Sequence, residues 1–61
     1  MLETIEVGDK LANGLDSKHR VLTVVYRNER EVVLEYEDGH LWILDIEIAK
    51  NILFRDRFLS F

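Results

Sequence analysis

Apolar and polar positions alternate over two stretches that flank Asp38-Gly39, and that alternation writes a β-hairpin. Val32-Val33-Leu34-Glu35-Tyr36-Glu37 runs into the turn and His40-Leu41-Trp42-Ile43-Leu44 runs out of it. Asp-Gly suits a two-residue type I′ turn, because both central residues need positive φ. Such a loop pairs Glu37 with His40, Tyr36 with Leu41, Glu35 with Trp42 and Leu34 with Ile43. Facing residues share a side of the sheet. Val32, Leu34, Tyr36, Leu41 and Ile43 are therefore expected to line the core, with Val33, Glu35, Glu37, His40, Trp42 and Leu44 on the opposite face.

Upstream, Arg20-Val21-Leu22-Thr23-Val24-Val25-Tyr26-Arg27 is dense in β-branched residues and reads as a strand. A three-residue loop at Asn28-Glu29-Arg30 pairs Arg27 with Glu31, Tyr26 with Val32, Val24 with Leu34 and Leu22 with Tyr36. A two-residue loop would bring Val21, Thr23 and Val25 inward instead. The three-residue register buries more carbon, which decides for it at roughly 25 cal/mol per Å². Earlier still, residues 1–7 read as an extended lead-in with Ile5 and Val7 on one face. Gly8-Asp9 marks a turn, a short strand follows around Lys10-Leu11-Ala12, and Asn13-Gly14 opens a loop through His19. The alternative, a tight hairpin at Asn13-Gly14, is disfavoured by the polar run Asp16-Ser17-Lys18-His19.

Downstream of Leu44, Asp45 suits the N-cap of a short helical turn through Lys50. Ile46, Ala49 and Leu53 then share a stripe, and Asn51 to Arg55 reads as a last short strand. A continuous helix over 45–55 fits the periodicity equally well. The expected architecture is a mostly β, SH3-like small barrel of about five antiparallel strands, with a short helical turn before the last strand. In this the chain resembles the broad group that includes KOW and Tudor-type domains. The resemblance is carried by Val7-Gly8-Asp9-Lys10-Leu11, the long strand ending at Tyr26, and Leu34-Glu35-Tyr36-Glu37-Asp38-Gly39. It implies binding of peptides, protein surfaces or nucleic acids without catalysis. The Tudor-type aromatic cage is not carried over, since Tyr26, Tyr36 and Trp42 do not all fall on one face.

With 61 residues the chain is one small domain, and with no Cys it has neither a disulfide nor a thiolate metal site to staple it. A chain this short buries only ~60% of the surface its unfolded form exposes, so apolar packing must supply the stability. Nothing resembles a signal peptide or a membrane span, and a soluble cytoplasmic protein is expected. The net charge of −4 is concentrated in the middle: residues 29–47 hold seven acids against Arg30 alone. A duplex-binding surface needs a basic stripe, and the central hairpin has the opposite sign.

No catalytic, cofactor or metal motif is present. His19 and His40 have no partner at ligand spacing, and alternating acids along a strand do not converge on one ion. Ser17 and Ser60 lack the base and oxyanion donors a nucleophile needs. The expected function is that of a non-enzymatic adaptor that binds a larger protein, with no cofactor. Its contact surface is expected to comprise Trp42, the Glu35, Glu37 and His40 side of the hairpin, and Phe58, Leu59 and Phe61 of an apolar tail at 56–61. That tail would fold back over Trp42, Val33 and Leu44, or bury against a second copy. The alternatives are a nucleic-acid-binding module using Lys18, Arg20 and Arg27, and a DNA-mimicking inhibitor, for which the acidic array is short.

Overall fold

The computed structural model describes residues 2–18 and 20–55. It is mostly β: β1 (Lys10–Asn13), β2 (Val21–Arg27), β3 (Glu31–Tyr36), β4 (Leu41–Asp45), a helix α1 (Ile46–Ile52) and β5 (Leu53–Phe54). Every pairing is antiparallel, and the sheet runs β4-β3-β2-β1-β5. The two end strands, β4 and β5, are joined by α1 alone, a seven-residue helix about 10 Å long that touches β3, β4 and β5. The sheet must therefore curl until its ends lie one short helix apart. Ile5, Leu11, Leu22, Val24, Val32, Leu34, Ile46, Ala49 and Leu53 fill the inside of that curl.

The helix begins where its N-cap allows. Asp45 Oδ1 accepts the N–H groups of Glu47 (2.9 Å) and Ile48 (3.4 Å), satisfying two donors that lack an intrahelical partner. It ends at Ile52 because β1 recruits the next two residues: Asn13 pairs with Leu53 and Ala12 with Phe54. The Gly14 N–H also donates to the Ile52 carbonyl at 2.8 Å. A Cβ on Gly14 would sit 2.9 Å from that carbonyl oxygen, so the close approach needs a glycine. Of the two readings left open for 45–55, short helix plus strand is the one adopted.

The β3–β4 register differs from the sequence expectation by one residue. The Tyr36 N–H donates to the His40 carbonyl (2.8 Å) and the Gly39 N–H to the Tyr36 carbonyl (2.9 Å), so the loop is Glu37-Asp38-Gly39. Only Gly39 among these takes a positive φ, +91°. Leu34 then faces Trp42, Val32 faces Leu44, Val33 faces Ile43 and Glu35 faces Leu41. A one-residue slip sends every β4 side chain to the other face. Trp42 and Leu44 pack against the core, whereas Leu41 and Ile43, expected inside, are each 61% exposed. The indole with Leu44 buries more carbon than Leu41 with Ile43, and that difference outweighs the preference of Asp-Gly for a two-residue loop.

The β2–β3 hairpin is right at one end and shifted at the other. Leu22 pairs with Tyr36 and Val24 with Leu34 as expected, but Tyr26 pairs with Val33 and Arg27 with Val32. A β-bulge between Val24 and Tyr26 absorbs the difference. The loop is the two residues Glu29-Arg30, closed by the Asn28 N–H on the Glu31 carbonyl and by Asn28 Oδ1, which accepts both Arg30 and Glu31 N–H groups at 2.8 Å. The bulge turns Tyr26 outward, 54% exposed, and sets Arg27, itself an exposed residue, on the side of the sheet that Val32 occupies. Arg27 Nη1 then reaches the Ile5 carbonyl at 2.6 Å, in place of the Arg27–Glu31 pair expected at the hairpin mouth.

The lead-in also departs from expectation, since Ile5 is fully buried and Val7 exposed. A turn over Glu6 to Asp9, with Gly8 at φ +96°, lifts Val7 away from the core. Three bonds strap the segment down: Leu2 N–H to Lys50 carbonyl, Arg27 to Ile5 carbonyl, and Arg55 Nη2 to Thr4 carbonyl at 3.0 Å.

Candidate protein-interaction surface

The slip in β4 and the bulge in β2 act together on the outer face of the sheet. Tyr26, Val33 and Ile43 stand in one cross-strand row, and Thr23, Glu35 and Leu41 in the next. Val25, the extra residue of the bulge, adds a partly exposed side chain beside Tyr26. The outcome is an apolar band across three strands, facing away from the core. Lys10 extends the second row: it pairs with Thr23, and its Nζ donates to Thr23 Oγ1 at 3.2 Å. An open cleft of about 490 Å³ follows that polar row and is lined by Lys10, Thr23, Glu35, Tyr36 and Glu37 among others.

At the turn end of the inner face lies an aromatic pair. Tyr36 and Trp42 are stacked, with ring centroids 6.3 Å apart and planes 17° from parallel. The Arg20 guanidinium sits 4.9 Å from the Tyr36 ring centroid, a cation–π contact, and its Nε donates to Asp16 Oδ2 at 2.8 Å. Asp16 also accepts the Lys18 N–H. The hydrogen bond from Arg20, and then that from Lys18, hold the Asp16 carboxyl below the usual range. In the turn, Asp38 accepts the His40 N–H at 3.0 Å, which lowers its pKa, and His40 Nδ1 lies 3.5 Å from its other oxygen. At Asp9, burial pushes the carboxyl up. Hydrogen bonds from Arg55 (3.1 Å) and the Glu6 N–H (2.9 Å) outweigh that and hold it low.

The residues singled out from the sequence do not form one patch. Glu35 is on the outer face; Glu37 is the first residue of the turn and His40 follows it; Trp42 is half-buried on the inner face, so it is not across from Glu35. Phe58, Leu59 and Phe61 lie outside the described residues. The three basic candidates are scattered too. Arg20 precedes β2 and Arg27 ends it, on the order of 20 Å apart along the strand. Arg20 is engaged by Asp16 and Tyr36, and Arg27 by the Ile5 carbonyl. Among the described residues no three His, Cys, Asp or Glu gather as metal ligands. No helix among them is long and apolar enough to cross a membrane.

Tyr26, Leu41 and Ile43 are the surface residues that sequence reasoning missed, whereas Val33 stands on the outer face as expected. The signal was available. Comparing buried carbon, the argument that selected the β2–β3 register, puts Trp42 and Leu44 inside and Leu41 and Ile43 outside when applied to β3–β4. Tyr26 gave no such signal, because a bulge leaves no mark in the alternation. No family model, curated protein or solved structure matches the chain.

Proposed function

We propose that this protein is a small, non-enzymatic interaction module of the SH3-like kind, which docks on a larger protein through the outer face of β2, β3 and β4. The observation that carries this reading is the apolar band itself. Leu41 and Ile43, 61% exposed, stand beside Val33 and Tyr26 on a domain with very little surface to spare. An exposed aromatic within a contiguous aliphatic patch is the composition of a protein contact, and acids at its border favour a partner with a basic rim. Glu31, Glu35 and Glu37 supply that border. The SH3-like assignment is supported by the order of five antiparallel strands, with a helix before the last. Under this reading Trp42 and Tyr36 support the hairpin from within rather than touch the partner.

The test is affinity capture from the source cell with the wild-type chain, a Tyr26→Ser/Leu41→Ser variant, and Lys18→Ala as a surface control. A prey retained by wild type and Lys18→Ala but lost by the double variant supports the proposal. Prey indifferent to the double variant, or binding to RNA or DNA that falls steeply with salt, would refute it.

A further inference from the structure

The sheet has two edges, and they are guarded unequally. β5 is two residues long and is followed by Arg55, whose guanidinium is engaged by the Thr4 carbonyl and Asp9. β4 has five residues, and from Leu41 to Leu44 it has no charge, proline or bulge, the devices that normally keep an edge from pairing. No described strand lies along its outer side. The ladder also defines which groups that side presents. Because the Tyr36 N–H donates to the His40 carbonyl, the hydrogen-bonded pairs are 36–40, 34–42 and 32–44. The backbone groups of Leu41, Ile43 and Asp45 therefore point away from β3.

We propose that this edge pairs antiparallel with β4 of a second copy, about a two-fold axis at Ile43. Ile43 is the midpoint of Leu41–Asp45, so this register is the one that uses the whole strand. Ile43 exchanges both backbone bonds with the partner's Ile43, and the N–H of Asp45 donates to the carbonyl of the partner's Leu41, since the Asp45 carbonyl serves the first turn of α1. The side chains agree with the backbone. On the outer face the two Ile43 side chains meet, joining two Tyr26–Val33–Ile43 rows into one band across six strands. On the inner face Trp42 faces the partner's Leu44. No like charges stand opposite each other, whereas a two-fold at Asp45 would oppose two carboxylates. The pairing stands on the ladder and the bare edge, so it holds or fails independently of the docking role proposed for the outer face.

The experiment is light scattering of the full chain over a dilution series, for wild type, Ile43→Lys, Ile43→Glu and a mixture of the two variants. Ile43 is largely exposed, and a cooperative thermal melt followed by circular dichroism will show that both variants keep the fold. Wild type is expected to be a dimer that dissociates on dilution. Each variant alone places like charges opposite each other and should raise the dissociation constant about tenfold or more. The equimolar mixture should recover the dimer, because the lysine then faces the glutamate. Lys18→Ala, away from the edge, should leave the mass unchanged. A wild type that stays monomeric, or a dimer insensitive to position 43, would overturn the proposal. So would a mixture that fails to recover, or a mass that changes on removing residues 56–61.

Discussion

The two hairpins that share β3 each carry one residue more than a plain ladder needs, and they dispose of it differently. Between β2 and β3 the extra residue goes into the strand, as the bulge at Val25, and the loop stays at two residues. Between β3 and β4 it goes into the loop, where Gly39 takes the positive φ, and the strand stays regular. The common outcome is that Leu22, Val24, Val32 and Leu34 all reach the core. Burial sets the register, and the backbone then finds the least strained place for the surplus. The consequence differs on the surface: the bulge exposes Tyr26, and the three-residue loop exposes Leu41 and Ile43.

The strongest test of this comparison is at the strand both hairpins use. Leu34 is fully buried, facing Val24 on one side and Trp42 on the other. At dilutions where the chain is monomeric, Leu34→Ala should cost about 2–5 kcal/mol in urea unfolding, and Ile43→Ala, at a position exposed in one copy, no more than about 0.5 kcal/mol. Similar costs would mean that the two faces are not divided as described. Next in size is Arg27→Ala, which removes the reach to the Ile5 carbonyl created by the bulge. It should lose about 1.5 kcal/mol, and hydrogen exchange should quicken in residues 2–7, which the Arg27–Ile5 bond straps down.

At the other turn, Gly39→Ala should cost about 1 kcal/mol through its backbone alone, since a Cβ there meets nothing within 4 Å. Deleting Glu37 should matter less. It leaves Asp38-Gly39 as a two-residue loop between the same Tyr36–His40 pair, so stability should change by about 0.6 kcal/mol or less and Trp42 should keep its emission maximum. A red shift would show that loop length, rather than burial, sets this register. Acid should have the smallest effect. Asp9, Asp16 and Asp38 all bind protons more weakly folded than unfolded, so their contribution is complete above the ordinary carboxylate value of 3.8 and lost as pH falls through the lower folded values. Asp9→Asn should flatten the acid limb of a thermal-melt series, and Asp38→Asn, at an exposed turn, should leave it nearly unchanged.

Local chemistry is legible in the chain itself. β-Branched density marks β2, Asn13-Gly14 and Asp38-Gly39 mark turns, and Asp45 marks the start of α1, with Ile46 and Ala49 on its buried stripe. The element order follows from these signals, because each depends on the propensities of a few neighbouring residues. What folding alone decided was the side each strand presents and the state of residues 51–54. A strand with apolar side chains on both faces, such as Leu41-Trp42-Ile43-Leu44, has two registers of nearly equal local merit. Only the competition between indole and aliphatic carbon for one small core separates them. The same holds for Leu53-Phe54, which leaves the helix because β1, far earlier in the chain, offers it an edge. Surface and edge are products of that long-range competition, which is why the exposed band and the bare β4 strand emerge only once the chain is folded.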